Sequence, residues 1–585
     1  MQICNYNRCI TILMFTVFIV LAGVFNVIYP AINLWDFVNY HYYNPWAFFH
    51  DRLGYDIAPA MIHTYFNPLI DVPYYLMLNA WGSGKMGVVL FCQGAYFGIL
   101  LFVFYKIIGL FFDFKKQPIA VIVTFLISAT GFAAYSQWGT CSNEIQVSIL
   151  ILWGLYLILK HISDENRKKS VWIWSGLLMG AALGLKPTMI TYCLGAGLSL
   201  IIFCRRLKVS FREITLFATS GLAGYLLVNG WWMIKLYHLF DNPFFPFLNG
   251  IFKSEYFDTV NFRDDSFVTM TTWWQKIISP LIISFCSLEI NYFSSAYFFD
   301  LRYALGFIVL LVMFVRWLIG RRGYPENKYI LLYAFIVISY IIWMNSFSII
   351  RYVIPIEMLT AIIIVKFFDN WKINNFIARA VLISFAIIGA YILVAEIPDY
   401  LTSWGNCENP MYVEPVNLPD DVIVETYAYP TAMVAALLVG NHHNRIVSYA
   451  DWISGVLLDF VEKGKFRQKR DDIIRNHSGL KIALIPYEMQ NSETRSVFFA
   501  RMRRVALERK GMYCRALHTY LDFMDICVPQ ELKDDIFIEE EWNRNEAIAK
   551  HKDKKIRDVK YIFDGKIDHY FDNFEAFVKK QKERK

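Results

Sequence analysis

Residues 33–75 read NLWDFVNYHYYNPWAFFHDRLGYDIAPAMIHTYFNPLIDVPYY. This stretch is aromatic, charged and proline-containing, and it follows directly on the first long apolar run of the chain, at 10–30. Asp36, beside Trp35, therefore lies where the chain leaves that run. A carboxylate so close to the hydrocarbon of a bilayer is costly, which indicates that it has a function. The stretch predicts an enzyme that works on a membrane-bound substrate.

Composition bounds the class of protein. Of the 585 residues, 56% are hydrophobic, 17% are aromatic and only 18% are charged, and such values exclude an ordinary soluble protein. The net charge is +7, but Lys and Arg cluster in short loops between apolar runs, where they set the topology. The sequence therefore predicts a polytopic membrane protein and gives no reason to expect a nucleic-acid partner.

Apolar runs predict a mainly α fold, a bundle of membrane helices. About 20 residues cross the ~30 Å of hydrocarbon in a bilayer, and about eleven runs come near that length. We interpret the first as an anchor rather than a cleaved signal peptide, because it is too long and no small-residue cleavage site follows it. The runs lie at 10–30, 86–111, 118–134, 143–160, 171–185, 188–204, 214–234, 303–319, 329–345, 352–367 and 376–396.

Basic residues assign the two sides of the membrane, because they fall in every second loop, which predicts that those loops are cytoplasmic. Lys186-Pro187 marks a turn between two short spans, which keeps this alternation intact. The N-terminus is then cytoplasmic. Three parts of the chain are predicted to face the outer side of the cytoplasmic membrane, namely the long loops 31–85 and 236–302 and the residues after about 397. The basic residues are Lys115, Lys116, Arg167, Lys168, Lys169, Arg205, Arg206, Lys208, Arg212, Arg316, Arg321, Arg322, Lys328, Lys366 and Lys372.

Residues 401–585 have the composition of a soluble region, in contrast to the membrane part at 1–400. Strand-like and helical patterns alternate there, which predicts an extracytoplasmic α/β domain with a partly parallel sheet. No Gly-rich phosphate loop opens its helices, so a nucleotide site is not expected. A charged helical tail from about 533 is predicted to dock on this domain. The strands are predicted at 421–427, 445–449, 481–487 and 524–529, and the helices at 430–439, 451–464 and 492–510.

The positions of the cysteines add little to the prediction of function. The ten cysteines show no metal-binding spacing, and most lie in or beside apolar runs. Only Cys407, Cys514 and Cys527 could report a redox compartment, because a disulfide among them would indicate an oxidising one.

The arrangement resembles the GT-C superfamily of integral-membrane glycosyltransferases over roughly residues 1–400. The resemblance is carried by an acid after span one (Trp35-Asp36), a second acid at the start of span four (Asn143-Glu144), basic residues on later outer loops, and a C-terminal extracytoplasmic domain. It implies a polyprenyl-phosphate-linked sugar as donor, inversion at the anomeric carbon, and a glycan, lipid or protein as acceptor.

The mechanism that this family implies can be argued physically. An acceptor hydroxyl must lose its proton as it attacks the anomeric carbon, so a carboxylate within reach acts as general base. Asp36 is the candidate, and its alternative is an interfacial acid that caps the first loop helix. Many GT-C enzymes carry paired acids in this loop, whereas Asp36 is followed by Phe37 and Val38. No metal ligand is therefore assigned, and a divalent metal stays an open question.

Three further residues are candidates for substrate binding near these acids. Glu144 begins an apolar run, either as an acceptor or metal contact or simply as an acid at a helix N-terminus. His41 could orient the base or the sugar. His63 could complete a site with Asp51 and Asp56, although each of these alone suits a solvated or capping position.

Cations are needed because the leaving group is a lipid phosphate, which departs more readily beside positive charge. Arg302 and Arg351 each begin a span on the predicted outer side, where a lipid phosphate would lie. Their alternative is a snorkelling side chain or a pair with Asp300 or Glu357. Lys186, at the tip of the predicted outer hairpin, is a further candidate.

Three other functions remain open at this stage. A polymerase or ligase of surface polysaccharide would depend on outer-loop Arg and His rather than on Asp36. A transporter or flippase would be expected to place ionisable residues near mid-membrane and to show two related halves. A non-catalytic scaffold would bind a partner through the outer domain.

Overall fold

A computed structural model was analysed. It describes residues 2–30, 36–164, 168–261, 270, 272–285, 300–319, 326–370, 409–427, 431–440, 443–449, 461, 464–486, 511–519 and 524–538. The chain divides into two compact units. The helical unit comprises residues 1–31, 90–231 and 263–401, and the sheet unit comprises residues 32–89, 232–262 and 402–585. The predicted boundary at residue 400 stays a prediction.

The helical unit contains all or most of thirteen described helices. Among the described residues, four segments are long and apolar enough to cross a membrane, namely Arg8–Ile28, Met86–Phe111, Glu144–Ser163 and Asn327–Ser346. The described helices of this unit are Gln2–Ile28, Met86–Phe111, Pro118–Ala129, Phe132–Tyr135, Glu144–Ser163, Ser170–Leu185, Ile190–Ile202, Cys204–Leu207, Phe211–Phe240, Trp273–Phe285, Leu301–Leu318, Asn327–Ser346 and Ile354–Asn370, with 3₁₀ turns at Pro187–Met189 and Ile350–Val353.

Most predicted spans coincide with one of these helices. The turn at Lys186-Pro187 is confirmed, because the backbone of Lys186 is extended and helix Ser170–Leu185 ends before it. The predicted span 376–396 lies outside the described residues, and the count of eleven stays a prediction. Helix Trp273–Phe285 lies within the segment 236–302, whose position as an outer loop stays a prediction.

The prediction of one continuous helix over 118–134 was wrong. Helix Pro118–Ala129 ends, and a separate short helix begins at Phe132. Between them Gly131 is extended, and a Cβ there would lie 2.0 Å from Oε2 of Glu357. Only glycine therefore fits at this break, because a buried carboxylate of another segment occupies the space that a side chain would need.

Small residues allow two helices of the helical unit to approach closely. A Cβ on Gly180 would lie 1.8 Å from the backbone oxygen of Gly221, and one on Gly176 would lie 2.4 Å from that of Phe217. Helices Ser170–Leu185 and Phe211–Phe240 therefore touch backbone to backbone. Such small-residue contacts are typical of helix packing in lipid, where the hydrophobic effect does not drive association.

The sheet unit contains five strands in the order β2-β1-β3-β5-β4. β1 (Ile423–Tyr427), β2 (Arg445–Tyr449) and β3 (Lys481–Pro486) are parallel, whereas β4 (Met512–Leu517) and β5 (Met524–Pro529) join antiparallel. The partly parallel sheet is thus as predicted, but β4 was missed. Cys514 and Cys527 face each other across β4 and β5 and form a disulfide.

Short helices complete the described part of this unit. Helix Ala432–Val439 was predicted, whereas the charged helix Gly464–Asn476 was not, because only Phe466 and Arg470 of its side chains are buried. The predicted helices 451–464 and 492–510 and the tail beyond 538 lie largely outside the described residues. The other helices are Phe37–His41 (π), Tyr43–Phe49, Met61–Tyr65 and Pro68–Ile70 (both 3₁₀), Val72–Trp81, Asn249–Phe252, Gln530–Leu532 (3₁₀) and Lys533–Ile536.

The first long loop is an integral part of the sheet unit. Ile57 pairs in parallel with Val447 of β2, through Ile57 N to Ile446 O (2.9 Å) and Ser448 N to Ile57 O (3.0 Å). Asp56 accepts the backbone N–H of Ile446 at 2.9 Å. The edge of β2 is therefore covered, and the loop is fixed to strands nearly 400 residues later in the sequence.

Candidate functional site

Glu144 lies at the N-terminus of a long membrane helix of the helical unit. Asn143 precedes it in the left-handed conformation (φ 68°), and this sharp turn starts helix Glu144–Ser163. Glu144 is 1% exposed. A carboxylate at this end of a helix is stabilised by the helix dipole, but so deep a burial also requires cations.

Two cations supply that charge, and they come from separate segments. Lys186 Nζ lies 2.7 Å from Glu144 Oε1 and donates to Ser142 O at 2.6 Å. Arg351 Nε lies 3.3 Å from the same Glu144 Oε1. The structure thus brings together three residues that the sequence offered separately, and we call them the Glu144 cluster.

The Glu144 cluster has the properties of an anion site. Two cations share one carboxylate, so the three groups carry a formal excess of one positive charge. The side chains of Lys186 and Arg351 are 16% and 24% exposed, whereas that of Glu144 is 1% exposed. Both cations also lie 5.6 Å from the ring centroid of Tyr352, whose carbonyl accepts from Tyr192 at 2.6 Å. The cations are therefore positioned and partly accessible.

Arg302 lies in a different and closed cluster of the helical unit. Its Nε donates to Asp300 Oδ1 at 2.7 Å and its Nη2 to Thr130 O at 2.6 Å, and Nη1 donates to Ile127 O. The sequence alternative, a pair with Asp300, is therefore present in the structure. Arg302 binds the last carbonyls of helix Pro118–Ala129 and is 5% exposed.

Glu357 completes this closed cluster, which we call the Arg302 cluster. It accepts the backbone N–H groups of Ala133 and Ala134, each at 3.0 Å, and the hydroxyl of Tyr303 at 3.0 Å. Arg302 and Glu357 thus satisfy the backbone groups on the two sides of the helix break at Gly131. The geometry gives Arg302 a structural task, and its role as a phosphate ligand stays a prediction.

Asp36 belongs to the sheet unit, where it is 5% exposed and precedes the π-helix Phe37–His41. Its side chain makes no capping hydrogen bond to that helix, so the structure does not have the capping alternative. Asn39 of the same helix is fully buried, and its amide N and O have no hydrogen-bond partner within the described part of the chain. Buried polar atoms of this kind are typical of a substrate site.

His41 and His63 are both held by neighbours in the first loop. His41 Nδ1 lies 2.7 Å from Asp71 Oδ1, a partner that sequence reasoning missed. His63 stacks on Tyr40 with ring centroids 4.8 Å apart, and its carbonyl accepts from Asn44 at 2.8 Å. A carboxylate on one imidazole nitrogen fixes the tautomer and the ring orientation. His41 is therefore a positioned imidazole at the end of the π-helix that Asp36 precedes.

The acids proposed to accompany His63 have other partners. Asp56 is paired with Arg52 at 2.7 Å and accepts from Tyr43 at 2.9 Å. Burial raises the pKa of Asp56, while Arg52 opposes that rise. Asp51 pairs with Lys235 at 2.9 Å. Among the described residues, no group of three or more His, Cys, Asp and Glu is placed to hold a metal ion.

No family model and no curated protein matches the sequence. Solved structures with similarity include ArnT from Cupriavidus metallidurans bound to undecaprenyl phosphate, with TM-score 0.49, 12% identity, and coverage of 88% of this chain and 97% of that one. The apo state of ArnT gives TM-score 0.45, 12% identity and coverage of 85% and 93%. The Archaeoglobus fulgidus oligosaccharyltransferase in the apo form gives TM-score 0.46, 11% identity and coverage of 81% and 69%.

These neighbours are proteins of the kind that the resemblance to the GT-C superfamily predicted. Because each TM-score is below 0.5 and each identity is below 25%, the similarities by themselves establish neither the reaction nor the site of this chain.

Proposed function

We propose that this chain is a membrane glycosyltransferase that transfers a sugar from a polyprenyl-phosphate-linked donor to an acceptor hydroxyl. The observation that carries the proposal is the convergence of Lys186 and Arg351 on the buried Glu144 at the end of a membrane helix. A positioned cation pair at that place suits an anionic lipid headgroup.

The donor phosphate is assigned to Lys186 and Arg351. As the bond between the anomeric carbon and the phosphate oxygen breaks, the bonding electrons stay on the phosphate. Nearby cations stabilise the charge that develops there, and a preorganised pair does so without rearrangement in the transition state. Glu144 holds both cations in place, and its shared oxygen leaves them a net positive charge for the phosphate.

Asp36 is assigned as the general base. It takes the proton of the acceptor hydroxyl while the hydroxyl oxygen bonds to the anomeric carbon, so that the sugar moves and the lipid phosphate leaves. Its burial and the absence of a helix-capping bond support this role. His41, held by Asp71, is assigned to orient the acceptor or the sugar.

The reaction is placed on the outer face of the cytoplasmic membrane. The disulfide between Cys514 and Cys527 supports an oxidising surrounding for the sheet unit. That location agrees with the loop charges, which predict a cytoplasmic N-terminus. The acceptor is a glycan, a lipid or a protein, and the lipid bilayer supplies the donor.

The test measures transfer of radiolabelled sugar from a panel of polyprenyl-phosphate sugars by purified protein in nanodiscs. Lys186→Met and Arg351→Met are each expected to lower kcat/KM by about 10–100-fold, since each removes a charge-assisted contact. Asp36→Asn is expected to lower kcat by about 10²–10⁴-fold. Lys276→Met is the matched control, because Lys276 lies in the same unit but binds the amide of Asn345.

The outcomes separate the alternatives. Equal transfer by wild type and Asp36→Asn would remove the general base and favour a polymerase or ligase mechanism. If Lys276→Met and Lys186→Met lose the same transfer activity, the loss comes from removing any cation rather than from removing a phosphate ligand. Movement of intact donor across the bilayer without transfer would favour a flippase.

A further inference from the structure

A polar pocket of about 640 Å³ lies in the sheet unit, and Asp36 is not among the residues that line it. Helix Gly464–Asn476 forms one wall, and residues at the N-terminal ends of β1 and β2 form another. Neither the proposed reaction nor the sequence patterns assign it a role. Its lining residues are Tyr55, Tyr256, Asp421, Ile423, Arg445, Lys465, Gln468, Lys469, Asp472, Ile473, Asn476 and His477.

The helix turns a polar stripe toward the pocket. Lys465, Gln468, Lys469, Asp472 and Asn476 recur at intervals of three or four residues, which places them on one helical face. The buried side chains Phe466 and Arg470 belong to other positions of this helix. Charged and amide groups therefore form most of the lining, with Ile423 and Ile473 as its aliphatic members, and the pocket suits a polar ligand.

Two of the cations are held close together by the first loop. The Arg445 guanidinium lies 4.1 Å from the ring centroid of Tyr55, and its Nε is buried without a hydrogen bond to a described residue. Lys469 Nζ donates to Gly54 O at 2.7 Å. Burial and the charge of Arg445 both lower the pKa of Lys469. Holding these like charges together is unfavourable, and an anion between them would relieve the cost.

The remaining groups suit a ligand with hydroxyl groups. Gln468 and Asn476 carry amides, and Asp421 and Asp472 carry carboxylates that accept hydrogen bonds from hydroxyls. Lys465, the third cation, is paired with Glu255 at 2.7 Å. A volume of about 640 Å³ lies within the usual range for small-molecule sites and far exceeds that of a bare phosphate.

We propose that this pocket binds an acidic saccharide, with its carboxylate or phosphate against Arg445 and Lys469 and its hydroxyls toward the amides and carboxylates of the helix face. The proposal is independent of the transfer reaction, because binding here requires neither the donor lipid nor Asp36. It gives the sheet unit a glycan-binding role of its own.

Isothermal titration calorimetry on the full chain in nanodiscs tests the proposal. The probes are glucuronic acid, glucose 6-phosphate, glucose and inorganic phosphate. Both acidic sugars are expected to bind at least about tenfold more tightly than glucose, which lacks the anion, and than phosphate, which lacks the hydroxyls. Arg445→Gln and Lys469→Gln are each expected to weaken this binding by about tenfold or more.

The matched control is Arg467→Gln, which removes a cation from the same helix at an exposed position outside the pocket. Its affinity for the acidic sugars is expected to equal that of wild type. Thermal unfolding is recorded for each variant. If Arg445→Gln fails to fold, the binding result for Lys469→Gln decides the test. Three results would overturn the proposal: no binding of either acidic sugar at millimolar concentration, glucose or phosphate binding as tightly, or equal effects of Lys469→Gln and Arg467→Gln.

Discussion

Two ion clusters of the helical unit contain an arginine near the start of a predicted span, and they differ in balance and access. The Glu144 cluster has two cations for one carboxylate, with side chains 16% and 24% exposed. The Arg302 cluster has one cation for two carboxylates, and the side chains of Arg302 and Asp300 are 7% and 0% exposed. The cations of the Glu144 cluster are partly accessible, whereas Arg302 is enclosed.

The difference shows that position at the start of a span does not by itself make an arginine a ligand for substrate. Arg302 donates to two carbonyls at the end of a helix, so its charge serves to join segments. Arg351 shares a single carboxylate oxygen with Lys186. The exposed fraction of the side chain separates the enclosed Arg302 from the partly accessible Arg351.

The largest expected effect comes from breaking the closed cluster. Arg302→Met should lower the free energy of unfolding by about 3–5 kcal/mol, because it leaves Asp300 buried without its cation. Unfolding in mixed micelles with increasing SDS measures this. Arg351→Met is the matched variant and should cost less, since its partner Glu144 keeps Lys186. A larger loss for Arg351→Met would reverse the comparison.

Removing the carboxylate of the Glu144 cluster should have an intermediate effect on the free energy of unfolding. Glu144→Gln is expected to lower the free energy of unfolding by about 1–2 kcal/mol, because Lys186 and Arg351 are partly exposed and water can solvate them. The same SDS titration measures this loss. The control variant is Gln146→Ala, because Gln146→Glu would add a charge. A loss of stability as large as that of Arg302→Met would mean that the Glu144 cluster is as closed to water as the Arg302 cluster.

The smallest effect is expected at a surface pair of the sheet unit. Asp51 pairs with Lys235, but its side chain is 89% exposed. Asp51→Asn should change the free energy of unfolding by no more than about 0.5 kcal/mol, because solvent screens such pairs. Thermal unfolding of the full chain at low and high salt checks this. A salt-dependent loss of several kcal/mol would show that exposure does not rank these ion pairs.

Much of the helical unit could be predicted from the sequence. Spans such as 329–345 and 86–111 coincide with helices Asn327–Ser346 and Met86–Phe111, and the turn at Lys186-Pro187 is where the pattern placed it. Helix Gly464–Asn476 of the sheet unit was missed because its composition is highly polar and only Phe466 and Arg470 of its side chains are buried. The break at Gly131 was missed because its cause, Glu357, lies more than two hundred residues away.

The candidate site was predictable as a set of residue types but not as an arrangement. Glu144, Lys186 and Arg351 were each named from the sequence, yet nothing local indicated that they meet at one carboxylate oxygen. His41 was named without its partner Asp71. The attachment of the first loop to β2 through Ile57 was not foreseen either.

Local sequence patterns predict the apolar helices and the mixed sheet of this chain, because spans and strands depend on about 5–25 neighbouring residues. Which charges pair, which arginine is enclosed and which is accessible became visible in the folded chain alone. Ion pairing depends on distances and burial set by segments far apart in the chain, and no local pattern records those.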